Sequence, residues 1–433
     1  MTDTASAVHV AIAGLGTVGV GVAKILQQHA ALIEQRSGKA VSIRAVSARD
    51  RGRQRGINLA DYAWCDNAVD LAAVDDVDLV VELIGGSDGP ALALARAALE
   101  RGKSFVTANK ALIAVHGEEL AQLAEEKGAS LRFEAAVAGG IPIIKALAEG
   151  LAGNDVSRLH GILNGTCNYI LTRMEREGLS FGEVLEDAQR LGYAEADPTF
   201  DIDGIDTAHK TAILAALAFG MAPDMANLPT EGIRTIAPVD IDFAKELGYR
   251  IKLLGVARKT DEGVETRVHP AMVPLAAPLA KVMDAVNAVV VQSDFAGETV
   301  YEGAGAGEGP TASAVVADII DIARGNQYAP LGIPVGALQK MPVIPTESHK
   351  GTYYIRLRVD DRPGVMADIT AELARENVSI ESVLQRGKAP QGGVYIIMTT
   401  HLTIEAAILA TLNHFTQLEC VLETPTMLRI EAV

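Results

Sequence analysis

The sequence predicts an α/β protein: a doubly wound parallel sheet first, a mixed α+β region after it, and a small ferredoxin-like βαββαβ unit last. Three observations predict this. From residue 8 to about 135, short β-branched runs alternate with alanine-rich amphipathic stretches, the pattern of strand–helix units that lay strands parallel. The run Val8-His-Val-Ala-Ile-Ala13 passes directly into Gly14-Leu15-Gly16-Thr17-Val18-Gly19. Residues 352–433 carry a separate alternation of strand-like and helical segments.

In the first region, strands are expected over residues 9–13, 42–46, 79–83, 104–107 and 131–135. Helices are expected over 18–29, 90–101 and 117–127. After Gly140-Ile141-Pro142, helical segments (143–150, 167–177, 181–191, 206–219) surround strands at 157–163, 264–268 and 288–293. Gly303-Ala-Gly-Ala-Gly-Glu-Gly309 reads as a flexible loop before Pro310 and a helix over 311–324, and Pro342, Pro345 and residues 346–351 read as a linker. The last region runs strand 353–359, turn Asp361-Arg-Pro-Gly364, helix 365–376 with Ile369 and Leu373 on one face, strands 380–386 and 394–400, helix 404–415 and strand-like 420–430. The expected domains are 1–140, completed by the helical segment at about 305–340, then 141–304, then 350–433.

Composition narrows the function classes. The 433 residues suit two or three domains, and 49% apolar against 21% charged residues is ample for a core. A net charge of −17 argues against a nucleic-acid partner, because a polyanion needs a basic face. Cys65, Cys167 and Cys420 are odd in number and far apart, which fits reduced thiols rather than a disulfide framework or metal site. The apolar run 8–26 lacks a basic leader and is broken by Gly14, Gly16, Gly19 and Gly21, and no stretch is long and apolar enough for a membrane span. A cytoplasmic protein without membrane contact is expected.

The glycine run fits GxGxxG between a strand and a helix. Its first glycine permits the tight turn, the second admits a pyrophosphate, and the third lets helix and strand pack closely, so a dinucleotide is expected on a Rossmann-type sheet. The second strand ends without the usual acid, in Ser47-Ala-Arg49-Asp-Arg51, with Arg53 close by. Arginine there suits a 2′-phosphate, so NADP is favoured and NAD stays open; a solvated basic loop is the plainer alternative. Gly85 and Gly86 follow the next strand of the sheet, and Thr107-Ala-Asn-Lys110 follows the one after. Ligands of such sheets bind beyond these strand ends, which points Lys110 at the nicotinamide. The loop around Gly305 could close over the cofactor from the other side.

Asp206 and Lys210 stand at i and i+4 on a helix whose Ile213, Leu214 and Leu217 share the lysine's face. An amine on an apolar face needs a partner, and Asp206 supplies one. Glu195, Asp197, Asp201 and Asp203 add negative charge just upstream, as a pocket for a cationic substrate group would. The alternative is a structural ion pair. His209 is expected to face solvent.

The combined motifs resemble homoserine dehydrogenase: Gly14–Gly19, Thr107-Ala-Asn-Lys110, Ala138-Gly-Gly-Ile-Pro142, Gly161-Ile-Leu-Asn-Gly-Thr-Cys-Asn-Tyr-Ile170, Gly192-Tyr-Ala-Glu-Ala-Asp-Pro198 and Asp206…Lys210 fall in that family's order. The final region resembles an ACT module, and the whole resembles the monofunctional form. The resemblance implies NAD(P)-dependent interconversion of L-homoserine and L-aspartate 4-semialdehyde, in threonine, methionine and isoleucine biosynthesis. It implies Lys210 as proton donor and acceptor with Lys110 as its companion, and Glu195, Asp206, Asp201 and Thr166 as substrate binders. It also implies a sodium ion at Glu134, Val137, Gly139 and Ile141, and a homodimer or homotetramer; the ACT-like module is expected to bind an amino acid, with L-threonine as feedback inhibitor, and a dimerisation domain with an empty site is the alternative. Two rivals remain at this point: a dehydrogenase of another amino acid or aldehyde, and a non-catalytic redox or amino-acid sensor.

Overall fold

The computed structural model describes residues 7–432 and, at 386–388, the backbone alone. The chain divides into two compact units. The first comprises the described residues of Met1–Gly165 with Asp206–Leu228 and Ala285–Met341, and the second Thr166–Ile205, Pro229–Asp284 and Pro342–Val433.

The first unit is built on a parallel sheet of β1 (Val8–Ala13), β2 (Val41–Ser47), β3 (Ala63–Trp64), β4 (Leu79–Glu82), β5 (Ser104–Thr107) and β6 (Leu131–Arg132), in the order β3-β2-β1-β4-β5-β6. Chain order reverses between β1 and β4, the point where such sheets open a crevice at their C-terminal edge. β1 is central and buried except at His9, as its near-continuous apolar run requires. The helix Thr17–Gln28 and the distant helix Glu308–Arg324 join that core through Val22, Leu26, Val315 and Ile319. Gly21 makes this approach possible, since a Cβ there would lie 3.0 Å from the Cβ of Ala312.

Two expectations change in detail. β6 is only two residues long, and 134–136 form a 3-10 turn that leads Glu134 away from the sheet. The helix expected from 117 begins at Lys110, because the Asn109 side chain accepts from the Leu112 amide and caps it. The first unit also holds an antiparallel ladder of the strands Val156–Ile162, Val286–Ser293 and Gly297–Ala304. Its helix Ile205–Phe219 is buried along most of its length.

The second unit centres on a long antiparallel hairpin, Tyr249–Thr260 with Gly263–Pro274. The first of these strands was absent from the expected elements. The strand Thr426–Ile430 pairs in parallel with Gly263–Pro274 and on its other side with Lys350–Val359, followed by Val394–Thr400 and Ile380–Lys388. The helices Val365–Arg375 and Glu405–Phe415 complete the βαββαβ order, with Ile369, Leu373, Ile408 and Phe415 in its core. Among the described residues, no helix is long and apolar enough to cross a membrane.

Candidate active site

The glycine turn has the geometry its spacing predicts. Gly14 has φ +101°, and a Cβ there would stand 2.5 Å from the Leu83 carbonyl oxygen. A Cβ on Gly19 would stand 2.0 Å from the carbonyl oxygen of Gly14, so this glycine brings helix and turn together. Gly16, by contrast, has no atom within 4 Å of its would-be Cβ. It precedes the helix Thr17–Gln28 with no side-chain cap and no acid in the first turn. Leu15, Thr17 and Val18 complete a turn of uncapped amides suited to a diphosphate. Arg49, Arg51 and Arg53 are exposed beside it. The Arg51 guanidinium lies 5.6 Å from the Trp64 ring centroid. Arg55, which sequence reasoning passed over, donates to the Leu15 carbonyl at 3.1 Å and ties the basic loop to the glycine turn.

Glu82, also passed over, organises the neighbouring strand ends. It is fully buried at the end of β4. One carboxylate oxygen accepts from the amides of Ile84 and Gly85 at 2.5 and 2.9 Å, and the other accepts from the Thr107 hydroxyl at 2.6 Å. Gly85 and Gly86 have φ near +90°, +88° and +87°. The Asn109 amide nitrogen donates to the Gly86 carbonyl at 2.7 Å. The signal for Asn109 was present as a capping residue type before an apolar run; a lone acid closing Leu-Val-Val-Glu carries no such pattern.

The capped helix start delivers Lys110 to Asp206, with Nζ 3.0 Å from Oδ1. Lys210 Nζ lies 2.8 Å from Oδ2 of the same carboxylate and donates to the Leu163 carbonyl at 2.7 Å. The Asn164 amide donates to Oδ2 at 2.8 Å. Asp206 is 4% exposed and Lys210 9%. Burial opposes the charge on Asp206, but the ammonium groups of Lys210 and Lys110 and the bonds from Lys210 and Asn164 outweigh it and hold the carboxyl well below the usual range. His209, expected in solvent, is half-buried, and burial together with the charge of Lys110 lowers its pKa.

The upstream carboxylates lie in the second unit and separate there. Asp203 pairs with Arg234, whose sequence distance hid it. The Asp197 carboxylate accepts from the Thr199 amide at 3.1 Å. Glu195 is exposed, and Asp201 is half-buried with its carbonyl accepting from the Cys167 thiol. The Thr166 hydroxyl donates to the Tyr193 carbonyl at 2.9 Å, and Tyr193 stacks on Tyr169 at 4.4 Å.

Gly305 packs against a side chain not singled out from sequence: its would-be Cβ falls 2.1 Å from the amide carbon of Asn287. On the neighbouring loop, the Glu134 carboxylate accepts from the amides of Ile144 and Lys145 at 3.0 and 2.9 Å. Burial, then the charge of Asp318, pushes its pKa up to about 7. Ala138 and Gly139 have φ of +54° and +39°, which turns the chain sharply between Val137 and Ile141. Among the described residues, no cluster of three or more His, Cys, Asp or Glu could hold a metal ion.

Residues 14–134 match the family model "Homoserine dehydrogenase, NAD binding domain", residues 142–320 match "Homoserine dehydrogenase", and residues 353–420 match "ACT domain". The homoserine dehydrogenase of Neisseria gonorrhoeae is 46% identical over 432 residues, covering 98% of this chain and 99% of that one. That of Mycobacterium tuberculosis is 42% identical over 433 residues, covering 98% of each. A crystal structure of a homoserine dehydrogenase from Thiobacillus denitrificans superposes with a TM-score of 0.93 at 44% identity, covering 99% of both chains. A hyperthermophilic archaeal homoserine dehydrogenase in complex with NADPH matches 74% of this chain and 99% of its own, with a TM-score of 0.64 at 28% identity.

Proposed function

The chain belongs to the homoserine dehydrogenase family, and from that premise we infer how its residues divide the work. The enzyme is an NAD(P)-dependent oxidoreductase acting on L-homoserine and L-aspartate 4-semialdehyde, with an ACT regulatory domain. When bound, the nicotinamide supplies or accepts the hydride. As hydride reaches the aldehyde carbon, negative charge grows on the substrate oxygen. Lys110 and Lys210 bring two ammonium groups to that oxygen, and Lys210 delivers the proton; in the reverse direction it takes the proton back. Asp206 keeps both amines in place and keeps them from being a bare double positive charge. The observation that carries this reading is the shared, buried carboxylate of Asp206, which holds two lysines a hundred residues apart in sequence.

Glu195 and Asp201, with Asp206, are assigned to the substrate's ammonium end. Thr166 and the backbone around it are assigned to its carboxylate. The family motif supports these roles. The uncapped turn at Gly14–Gly19 and the strand ends at Gly85, Gly86 and Thr107 take the dinucleotide, with Gly305 closing the opposite side. Exposed Arg49 favours NADP over NAD. The NADPH in the archaeal relative agrees with that preference. A sodium ion would be held by Glu134 and the carbonyls of Val137, Gly139 and Ile141; the sharp turn there and the family resemblance support it, and it would clamp the loop without entering the reaction. L-Threonine is the ligand assigned to the ACT domain, the assembly to a homodimer or homotetramer, and the location to the cytoplasm. Purified protein mixed with NADPH and aspartate semialdehyde should lose absorbance at roughly 340 nm, where reduced nicotinamide absorbs. Loss with another aldehyde but not with this one would overturn the substrate assignment.

A further inference from the structure

One buried amine has no part in the chemistry above. Lys252 is 1% exposed on the strand Tyr249–Thr260. Its Nζ donates to the side-chain oxygen of Asn168 at 2.8 Å and to the Val282 carbonyl, and lies 3.7 Å from the sulfur of Met283. Among the described residues, no carboxylate pairs with it. The acids nearby are committed elsewhere: Glu175 forms a two-pronged pair with Arg250, both bonds 2.7 Å, and Asp284 pairs with Arg176 at 2.7 Å. An amine buried among neutral acceptors is a poor source of stability, because an apolar side chain of similar length would avoid its desolvation. Its partners point to a different role. Asn168, Thr172 and Arg176 form one stripe of the helix Gly165–Glu177, and each meets the segment 282–284. The Asn168 amide donates to the Val282 carbonyl at 3.3 Å, the Asp284 amide donates to the Thr172 hydroxyl at 3.0 Å, and Arg176 pairs with Asp284. Lys252 joins the first of these seams, the one nearest the helix start.

We propose that Lys252 is a positioning residue for substrate binding: by joining Asn168 to the Val282 carbonyl it sets the rotation and height of the helix start that carries Thr166. This rests on the assignment of Thr166 and the neighbouring amides to the substrate carboxylate. The device is sensitive to protonation. An ammonium donates three hydrogen bonds, the neutral amine two. Burial and the charge of Arg250 lower the Lys252 pKa to about 7, with Arg176 acting the same way and Glu175 and Asp284 opposing. The clasp is therefore full on the acid side of neutrality and weaker on the alkaline side.

The test is steady-state kinetics from pH 6 to pH 8 on the full-length enzyme. The wild type should show a KM for homoserine that rises through about pH 7, with a flat KM for the cofactor. Lys252→Met should raise the KM for homoserine about tenfold at pH 6, leave kcat and the cofactor KM within about twofold, and abolish the rise. Asn168→Asp gives the amine an acidic partner and should move the rise to more alkaline pH by about one unit or more. It also decides the matter if the methionine variant does not fold. A flat wild-type profile, an unmoved rise in Asn168→Asp, or a parallel change of kcat and both KM values in Lys252→Met would each overturn the proposal. Thr166→Val reports separately on the substrate assignment. An unchanged homoserine KM there, beside a raised one in Lys252→Met, would remove Thr166 as the contact and leave Lys252 acting through the helix amides.

Discussion

Lys110 and Lys210 hold opposite oxygens of one carboxylate, at 3.0 and 2.8 Å from Asp206. The two amines differ in setting: the Lys210 side chain is 11% exposed and that of Lys110 31%. Lys210 is also tied to the Leu163 carbonyl. Lys210 is therefore the more firmly held of the two amines, which suits the proton transfer proposed for it, and Lys110 is the more exposed. Lys210→Met keeps the apolar stem and removes the amine, so kcat should fall by about two to four orders of magnitude in both directions. Circular dichroism should show an unchanged fold. Turnover within a few-fold of wild type would take Lys210 out of the reaction.

Asp206→Asn should damage stability as well as rate. Removing one member of a buried charge cluster leaves the others uncompensated, at a cost of about 3 kcal/mol, toward the low end because Lys110 is partly exposed. The pH dependence has a definite sign. The folded-state pKa of Asp206 lies below its unfolded value of about 3.9, so its stabilisation is present above that value and fades as pH falls through the folded-state one. Urea unfolding should therefore show a large gap between wild type and variant at pH 7 that narrows below about pH 4.

Much of this site was legible in the sequence because its signals are local. The Asp206–Lys210 pair follows from helix spacing, and the glycine turn from three residues of one motif. The sequence places Lys110 at a strand end but outside the helix expected over 117–127, although Asn109 already marks a helix start. What stayed hidden acts across long separations without periodicity. Glu82 reaches Thr107, Arg234 reaches Asp203, and Asn287 lies under Gly305. β6 came out short because Glu134 leaves the sheet to meet the amides of Ile144 and Lys145. No residue type in Leu131-Arg-Phe-Glu announces that bond.

The glycines of the turn should separate into two classes under substitution by alanine. Gly16 has room for a Cβ and an ordinary φ of −78°, so Gly16→Ala should leave the melting temperature within about 2 °C. It should still raise the Kd for NADPH about tenfold, because the added methyl stands where the diphosphate would approach. Gly19→Ala forces a carbon to within 2.0 Å of a backbone oxygen and should destabilise the unit with or without cofactor. Calorimetry and NADPH fluorescence titration distinguish the two; equal behaviour would mean that the turn is structural only.

Cofactor choice should depend on the basic loop. Arg49→Ala should reduce kcat/KM with NADPH about tenfold and leave NADH nearly unchanged, since only NADPH carries the 2′-phosphate. Arg55→Ala should weaken both cofactors, because Arg55 holds the Leu15 carbonyl of the glycine turn itself. An equal loss for NADPH and NADH in Arg49→Ala would return this loop to plain solvated charge.

Testing the ACT domain by deletion would mislead. The strand Thr426–Ile430 pairs with Gly263–Pro274 through Arg429–Ala271 and Ile430–Met272. The Glu431 carboxylate lies 3.1 Å from Arg267 and 3.2 Å from His269, both buried. Removing residues from 350 onward would strip that strand's edge and leave the Arg267 charge short of a partner, so activity and inhibition should be lost together. Gly364 offers a cleaner probe. It caps the helix Val365–Arg375 at φ +98° with open space around it, so Gly364→Ala strains only the local turn, at about 1–2 kcal/mol. If this turn shapes a threonine site, the variant should keep its kcat while the threonine concentration for half-inhibition rises about tenfold or more. Unaltered inhibition in a variant whose turn is shown to have moved by hydrogen exchange would mean that threonine acts elsewhere and that this domain serves assembly alone.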